Sequence, residues 1–164
     1  MTAREIRVIG DPVLASRCAE IADIDDGIRS LVTDLIDTVL LPGRAGVAAP
    51  QIGVALRAFS YNVDERVGYL LNPRIVAVEG DPVAIGEGCL SVPDLWFDTP
   101  RHPFARAEGI DLDGNPVQLE GEGVFAQMLQ HETDHLDGTL YLKRLSSETR
   151  RQAMREVREK IWLV

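Results

Sequence analysis

The sequence predicts an α+β fold, with short, mostly antiparallel strands packed around a central helix that carries an HExxH motif and with one helix at each end of the chain. Three observations carry this. Apolar residues recur at helical spacing near 25–41, 124–136 and 147–161. The stretch 46–117 instead breaks into short Val, Ile, Leu and aromatic runs divided by Gly, Pro, Asn and Asp. The helical segments flank the strands rather than alternating with them.

The elements follow in order. The chain of 164 residues has no internal repeat and no Pro-, Gly- or Ser-rich linker, so a single domain over 1–164 is expected. Residues 5–9 form a short extended stretch, ended by the turn Gly10-Asp11-Pro12. Within 25–41, Ile28, Leu31, Val32, Leu35, Ile36, Val39 and Leu40 share one helical stripe, and Pro42-Gly43 stops it. RAFSYNV (57–63), GYLLNPRIVAV (68–78) and GIDLD (109–113) supply strands, and Asp113-Gly114 suits a hairpin turn because Gly tolerates positive φ. The helix over 124–136 is followed by Gly138 as a left-handed cap. In the last helix Met154, Val157 and Ile161 form an apolar stripe that should dock on the body.

Composition narrows the function classes. A net charge of −9 repels phosphate backbones over most of the surface and disfavours generic or sequence-specific nucleic-acid binding. Two cysteines, Cys18 and Cys89, are too few for a disulfide framework and point to a reducing compartment or to a chemical role for one of them. There is no signal-like apolar start and no run of about 18 apolar residues, so the expectation is a soluble, cytoplasmic protein without membrane contact.

The most specific chemical feature is QHETDH, with His131, Glu132 and His135 in the HExxH arrangement. Two residues four apart on a helix lie about 40° apart around its axis, so both imidazoles reach one cation. Glu132 projects from an adjacent face, where a carboxylate can take a proton from an activated water. A third ligand is needed, and two candidates compete. Glu156, about one helix further on, would give a zinc-endopeptidase-like set, although it sits in a helix of alternating charge suited to solvent. Cys89 offers a thiolate in the Gly-rich EGCLS segment, where backbone can approach a metal and a substrate closely.

Three separated motifs, GVAAPQIG (46–53), EGCLS (87–91) and QHETDH (130–135), together make the chain resemble a peptide deformylase. The resemblance extends to GDPVL near the start, LNPRI (71–75) and HLDGTLYLKRLS (135–146). It implies a metal-dependent hydrolase that removes the formyl group from the N-terminal formylmethionine of new polypeptides. It implies that Cys89, His131 and His135 hold one divalent ion, commonly Fe2+ in cells, with Zn2+, Ni2+ or Co2+ able to replace it. Glu132 would be the general base and acid, and the Gln51 side-chain amide and the Leu90 backbone N–H would stabilise the oxyanion. Gly46, Gly86 and Gly88 would flank the substrate strand, while Val124, Gln127 and Met128 would wall the methionine pocket opposite Ala45 and Ile85. Arg101 would pair with Glu87 and brace EGCLS. The family usually has glycine where Arg44 stands and a larger apolar residue where Ala45 stands.

The tail is charged differently from the rest. Residues 143–164 carry seven basic and three acidic side chains, leaving −13 on the remainder. Arg151, Arg155 and Arg158 form a stripe at i, i+4, i+7, a candidate ribosome contact for an enzyme of nascent chains.

Overall fold

The computed structural model describes residues 3–160. Helix α1 (Asp26–Val39) precedes seven strands: β1 (Gly46–Ala48), β2 (Ala58–Val63), β3 (Arg66–Glu79), β4 (Val83–Cys89), β5 (Val92–Arg101), β6 (Phe104–Ile110) and β7 (Pro116–Glu122). Helices α2 (Gly123–Leu136) and α3 (Ser147–Arg158) follow. Five strands form an antiparallel sheet in the order β1-β2-β3-β6-β7, and β4 and β5 pair separately as a hairpin.

The strand period of two assigns the faces of the large sheet. On β2, Phe59, Tyr61 and Val63 join Phe125, Met128 and Leu129 of α2 in one apolar cluster. Ala58, one residue out of phase, joins Leu31, Val32 and Leu35 of α1 in another. Because both faces are covered, β2 is buried almost throughout instead of alternating with solvent. A third cluster holds α3 against the β4–β5 hairpin through Val92, Leu95, Leu142, Ala153 and Val157. Met154 packs there half-buried, and Ile161 of the expected stripe lies outside the described residues.

Local chemistry sets the boundaries. Asp25 is the N-cap of α1 rather than its first turn, its carboxylate accepting the Ile28 N–H at 3.0 Å. GIDLD is not a strand of its own. Gly109 and Ile110 end β6, and the Asp111 carboxylate accepts the N–H groups of Asp113 and Asn115 at 2.9 Å to form the turn, with Gly114 at φ +79°. Residues 5–9 form no ladder, but the Arg7 N–H donates to Gln51 O at 2.7 Å and the Ile9 N–H donates to Ser91 O at 2.8 Å. The N-terminal stretch thereby staples the segment after β1 to the β4–β5 turn. Pro73 is tolerated inside β3 because it stands at a register break, where Asn72 adopts φ +48° and its side chain exchanges two hydrogen bonds with Ile21.

Helix α2 lies across the large sheet and is pinned at its end. The Arg57 guanidinium donates to Leu136 O at 3.0 Å, and Gly138 turns the chain at φ +72° against the Ala15 backbone. Among the described residues no helix is long and apolar enough to cross a membrane.

Candidate metal centre

Three ligand atoms meet where α2 passes the end of β4. Cys89 Sγ lies 3.4 Å from His135 Nε2, which lies 3.2 Å from His131 Nε2. The three atoms all fall within 4.8 Å of one another. A tetrahedral site with bonds of about 2.1 Å to nitrogen and 2.3 Å to sulfur spaces its ligand atoms roughly 3.4–3.6 Å apart. The observed spacing is therefore close to what a cation needs.

Protonation points the same way. His131 Nδ1 lies 2.6 Å from the Glu87 carboxylate, so Nδ1 carries the hydrogen and donates it, leaving a lone pair on Nε2. That lone pair faces a second imidazole nitrogen and a sulfur, an arrangement that a shared cation resolves. Thiolate and imidazole together suit Fe2+, Zn2+, Ni2+ or Co2+ better than the oxygen-seeking Mg2+ or Ca2+. Glu156 lies on α3, accepts a hydrogen bond from Gln152 at 3.1 Å and is not part of the cluster.

Charged side chains brace the centre over a long path. Arg101 donates to both oxygens of Glu87 at 2.9 and 2.6 Å, and its remaining arm donates to Asp134 at 2.7 Å. Asp134 also accepts from Arg144 at 3.1 and 2.7 Å. Glu87 and Arg101 are each 3% exposed. Burial by itself would raise the Glu87 carboxyl, but the hydrogen bonds from Arg101 and His131 outweigh it and bring it down to about 2. The buried Tyr141 ring stacks with His131, ring centroids 6.2 Å apart. Asp134 and Arg144 are not signalled by the motif. Their only sequence trace is an acid three residues after His131 and an arginine beyond the helix.

Glu132 is buried, with Oε2 lacking a hydrogen-bond partner among the described residues, and burial raises its carboxyl to about 7. A Cβ added at Gly46 would strike this side chain, its Cδ standing only 2.7 Å away, so β1 must offer glycine here for the carboxylate to occupy the cleft. Gln51 is pinned within its own turn: its Oε1 accepts the Ala48 N–H at 2.9 Å, and its Nε2 donates to Ser91 Oγ at 3.1 Å and lies 3.7 Å from Cys89 Sγ. Leu90 occupies the two-residue turn between β4 and β5, beside the cluster.

These groups line an open cleft of about 480 Å³. Of the residues expected at the substrate, Ala45, Gly46, Gly86, Gly88, Val124, Gln127 and Met128 line it together with Gln51, Glu87, Cys89, Leu90, His131 and Glu132. Ile85 is not among the lining residues, although its neighbour Gly86 is. Met128 is buried whereas Val124 is exposed at the rim. Gln127 donates to Gly86 O at 3.1 Å, which satisfies its polar group at the cleft wall. Arg44 is half-buried and donates to Thr38 O at 3.0 Å. His102 stays away from the cluster, its ring bonded to Gly80 O at 2.9 Å.

A thiolate and two helix imidazoles beside the buried Glu132 carboxylate, in a glycine-edged cleft, define the class as a metal-dependent hydrolase. Comparison with known proteins narrows it. The profile of the polypeptide deformylase family matches residues 3–151, and the chain belongs to that family. It is similar to the peptide deformylase of Parafrankia sp., 46% identical over 99% of this chain and 89% of that one. Peptide deformylase 1 of Corynebacterium glutamicum is 42% identical over 99% and 98% of the two chains. Among solved structures, peptide deformylase from Thermus thermophilus superposes with a TM-score of 0.87 at 39% identity, covering 95% of this chain and 93% of that one. The Ehrlichia chaffeensis enzyme in complex with actinonin superposes with a TM-score of 0.89 at 34% identity, covering 98% and 99%.

Proposed function

We propose that this chain, as one catalytic domain over 1–164, removes the N-formyl group from formylmethionyl nascent peptides. The observation that carries the reading is the meeting of Cys89, His131 and His135 beside the buried carboxylate of Glu132, whose Oε2 has no hydrogen-bond partner among the described residues. A divalent cation held by these three ligands supplies Lewis acidity that makes water a nucleophile near neutral pH. Fe2+ is the ion proposed for cells, with Zn2+, Ni2+ and Co2+ as substitutes for the same donor set.

Each remaining step belongs to side chains on the cleft wall. Glu132 takes the proton of the attacking water and returns it to the departing amine as formate leaves. Its raised carboxyl suits a group that must both accept and release a proton near pH 7. The Gln51 amide and the Leu90 N–H are proposed to stabilise the charge growing on the formyl oxygen, at roughly 3 kcal/mol of barrier for a well-placed donor. Gln51 is held for this by its bonds to Ala48 and Ser91, so little reorganisation is needed. Glu87 and Arg101 keep the His131 ring oriented. The peptide backbone runs beside Gly46, Gly86 and Gly88, with Ala45, Met128, Gln127 and Val124 around the methionine.

Cytoplasmic location follows from this substrate. The exposed arginines of α3, where Arg150, Arg151, Arg155 and Arg158 line one groove, are the proposed contact with the ribosome. Salt-sensitive co-sedimentation with ribosomes, lost on reversing Arg151, Arg155 and Arg158, would bear this out. Binding that is indifferent to those charges would end it.

The test of the activity is an anaerobic assay of formate release from formyl-Met-Ala-Ser, with metal analysis of the same sample. Oxygen is excluded because oxidation of Fe2+ or of the Cys89 thiolate would mimic inactivity. Cys89→Ala should lose both the metal and turnover, whereas Glu156→Ala should keep both. The reverse pattern would replace this reading with the peptidase-like ligand set.

A further inference from the structure

At the lip of the cleft stands a side chain that neither the metal nor the methionine needs. Trp96 is 73% exposed, the most exposed large apolar residue among those described, yet it lines the same cavity as Cys89 and Glu132. It lies opposite Gly88 in the β4–β5 register, one residue from the sulfur ligand. A Cβ built on Gly88 would meet Cδ2, Cε2 and Cε3 of the indole at 2.9, 2.9 and 3.0 Å. Three ring atoms at one distance mean that the ring lies face-on over the Gly88 backbone, with its second face turned outward. No hydrogen bond engages its N–H among the described residues.

Solvent-facing indoles of this kind sacrifice apolar contact that a ligand can restore. The rest of the rim does not favour a charged ligand, since the cleft lip carries Arg44 and Asp94, one of each sign. Arg44 is also tied to the end of α1 through Thr38 O. Val124, 55% exposed, adds a second apolar surface at the cleft rim.

Resting on the deformylase reading, we propose that Trp96 is a specificity-determining residue that receives an aromatic or large apolar side chain at the second or third position of the formylated peptide. The free indole face stacks on that side chain while the methionine occupies the deeper pocket beside Met128. Substrates with a bulky apolar residue close behind formylmethionine are therefore preferred over those with small polar ones.

The experiment compares formyl-Met-Phe-Ser and formyl-Met-Ser-Phe with formyl-Met-Ser-Ser on the metal-loaded full chain and on Trp96→Ala. For wild type, kcat/KM should favour at least one phenylalanine peptide by about fivefold or more, the scale of an aromatic contact. In Trp96→Ala that ratio should fall to within about twofold of unity. Equal rates on all three peptides in wild type, or a ratio that survives in Trp96→Ala, would overturn the inference. So would a dimer in sedimentation that Trp96→Ala abolishes without changing peptide preference, which would make the indole a subunit contact. A second arm does not depend on turnover. In a Trp162→Phe background, titration with the unformylated peptide Met-Phe-Ser should shift the Trp96 emission to the blue, and Met-Ser-Ser should not. If no peptide releases formate, the deformylase reading falls and this fluorescence arm alone decides whether the indole binds an aromatic side chain: a shift upholds that contact and its absence rejects it.

Discussion

Replacing Glu87 with Gln probes the brace behind the metal centre. The carboxylate accepts two buried hydrogen bonds from Arg101 and a partly buried one from His131 Nδ1, all at 2.9 Å or less. Its carboxyl stands at about 2 in the folded chain against an ordinary value of 4.5. By linkage, that difference corresponds to about 3 kcal/mol of stability near neutral pH. Breaking one side of a buried ion pair costs ~3–5 kcal/mol by a separate route, so the two magnitudes agree. The glutamine keeps one acceptor but turns an N–H2 toward donors, and Arg101 is left with Asp134, which Arg144 already shares.

Urea unfolding of chelated wild type and Glu87→Gln isolates this term from metal linkage. At pH 7 the variant should lose about 3 kcal/mol, a midpoint shift of roughly 1–1.5 M for a domain of this size. The sign with pH is set by a depressed carboxyl: the stabilisation is complete above about 4.5 and is lost as pH falls from 4.5 toward 2. Wild type with Glu87 protonated resembles the glutamine variant, so the deficit should shrink over that interval. A deficit below about 1 kcal/mol at pH 7, or one that stays constant down to pH 3, would refute the assignment of Glu87 as the charged centre of the brace.

Three further outcomes are expected. Glu132→Gln should lower kcat by about 10²–10⁴-fold with one equivalent of metal retained, measured by formate release and metal analysis. Gly46→Ala places a methyl group against the Glu132 side chain and should cost roughly 10²-fold in kcat/KM through misplacement of the carboxylate, with metal content unchanged. Gly138→Ala forces a side chain into φ +72° with its Cβ 2.9 Å from the Ala15 backbone, and should destabilise the fold by about 2 kcal/mol in urea titrations.

Helices and turns were legible because their signals are local. The α2 stripe, the glycine after it and the turn ending at Gly114 each depend on residues within a few positions of one another. The spacing of His131 and His135 is of the same kind, since one helical turn sets it whatever the rest of the chain does. Boundaries shifted where a side chain competed for a backbone group, as when Asp25 capped α1 instead of extending it and Asp111 gathered the N–H groups of the 111–115 turn.

Other features depend on where the chain goes after leaving each element. Arg101 meets Asp134 across 33 residues, and Glu87 meets His131 across 44. No periodicity encodes those separations. The resemblance carried the Glu87–Arg101 pair but not the extension through Asp134 to Arg144. The rim was equally hidden: Val124 stands exposed, Ile85 falls outside the cleft, Gln127 finds its partner on Gly86, and Trp96 remains in solvent. By itself the sequence determined the α+β class, the two imidazoles and their intervening acid, because short-range backbone geometry suffices for these. Tertiary structure decided how the Cys89 sulfur that the resemblance named reaches them, how far the bracing charges extend and which side chains the cleft exposes, because those depend on bringing β4 and β5 to a helix distant in sequence.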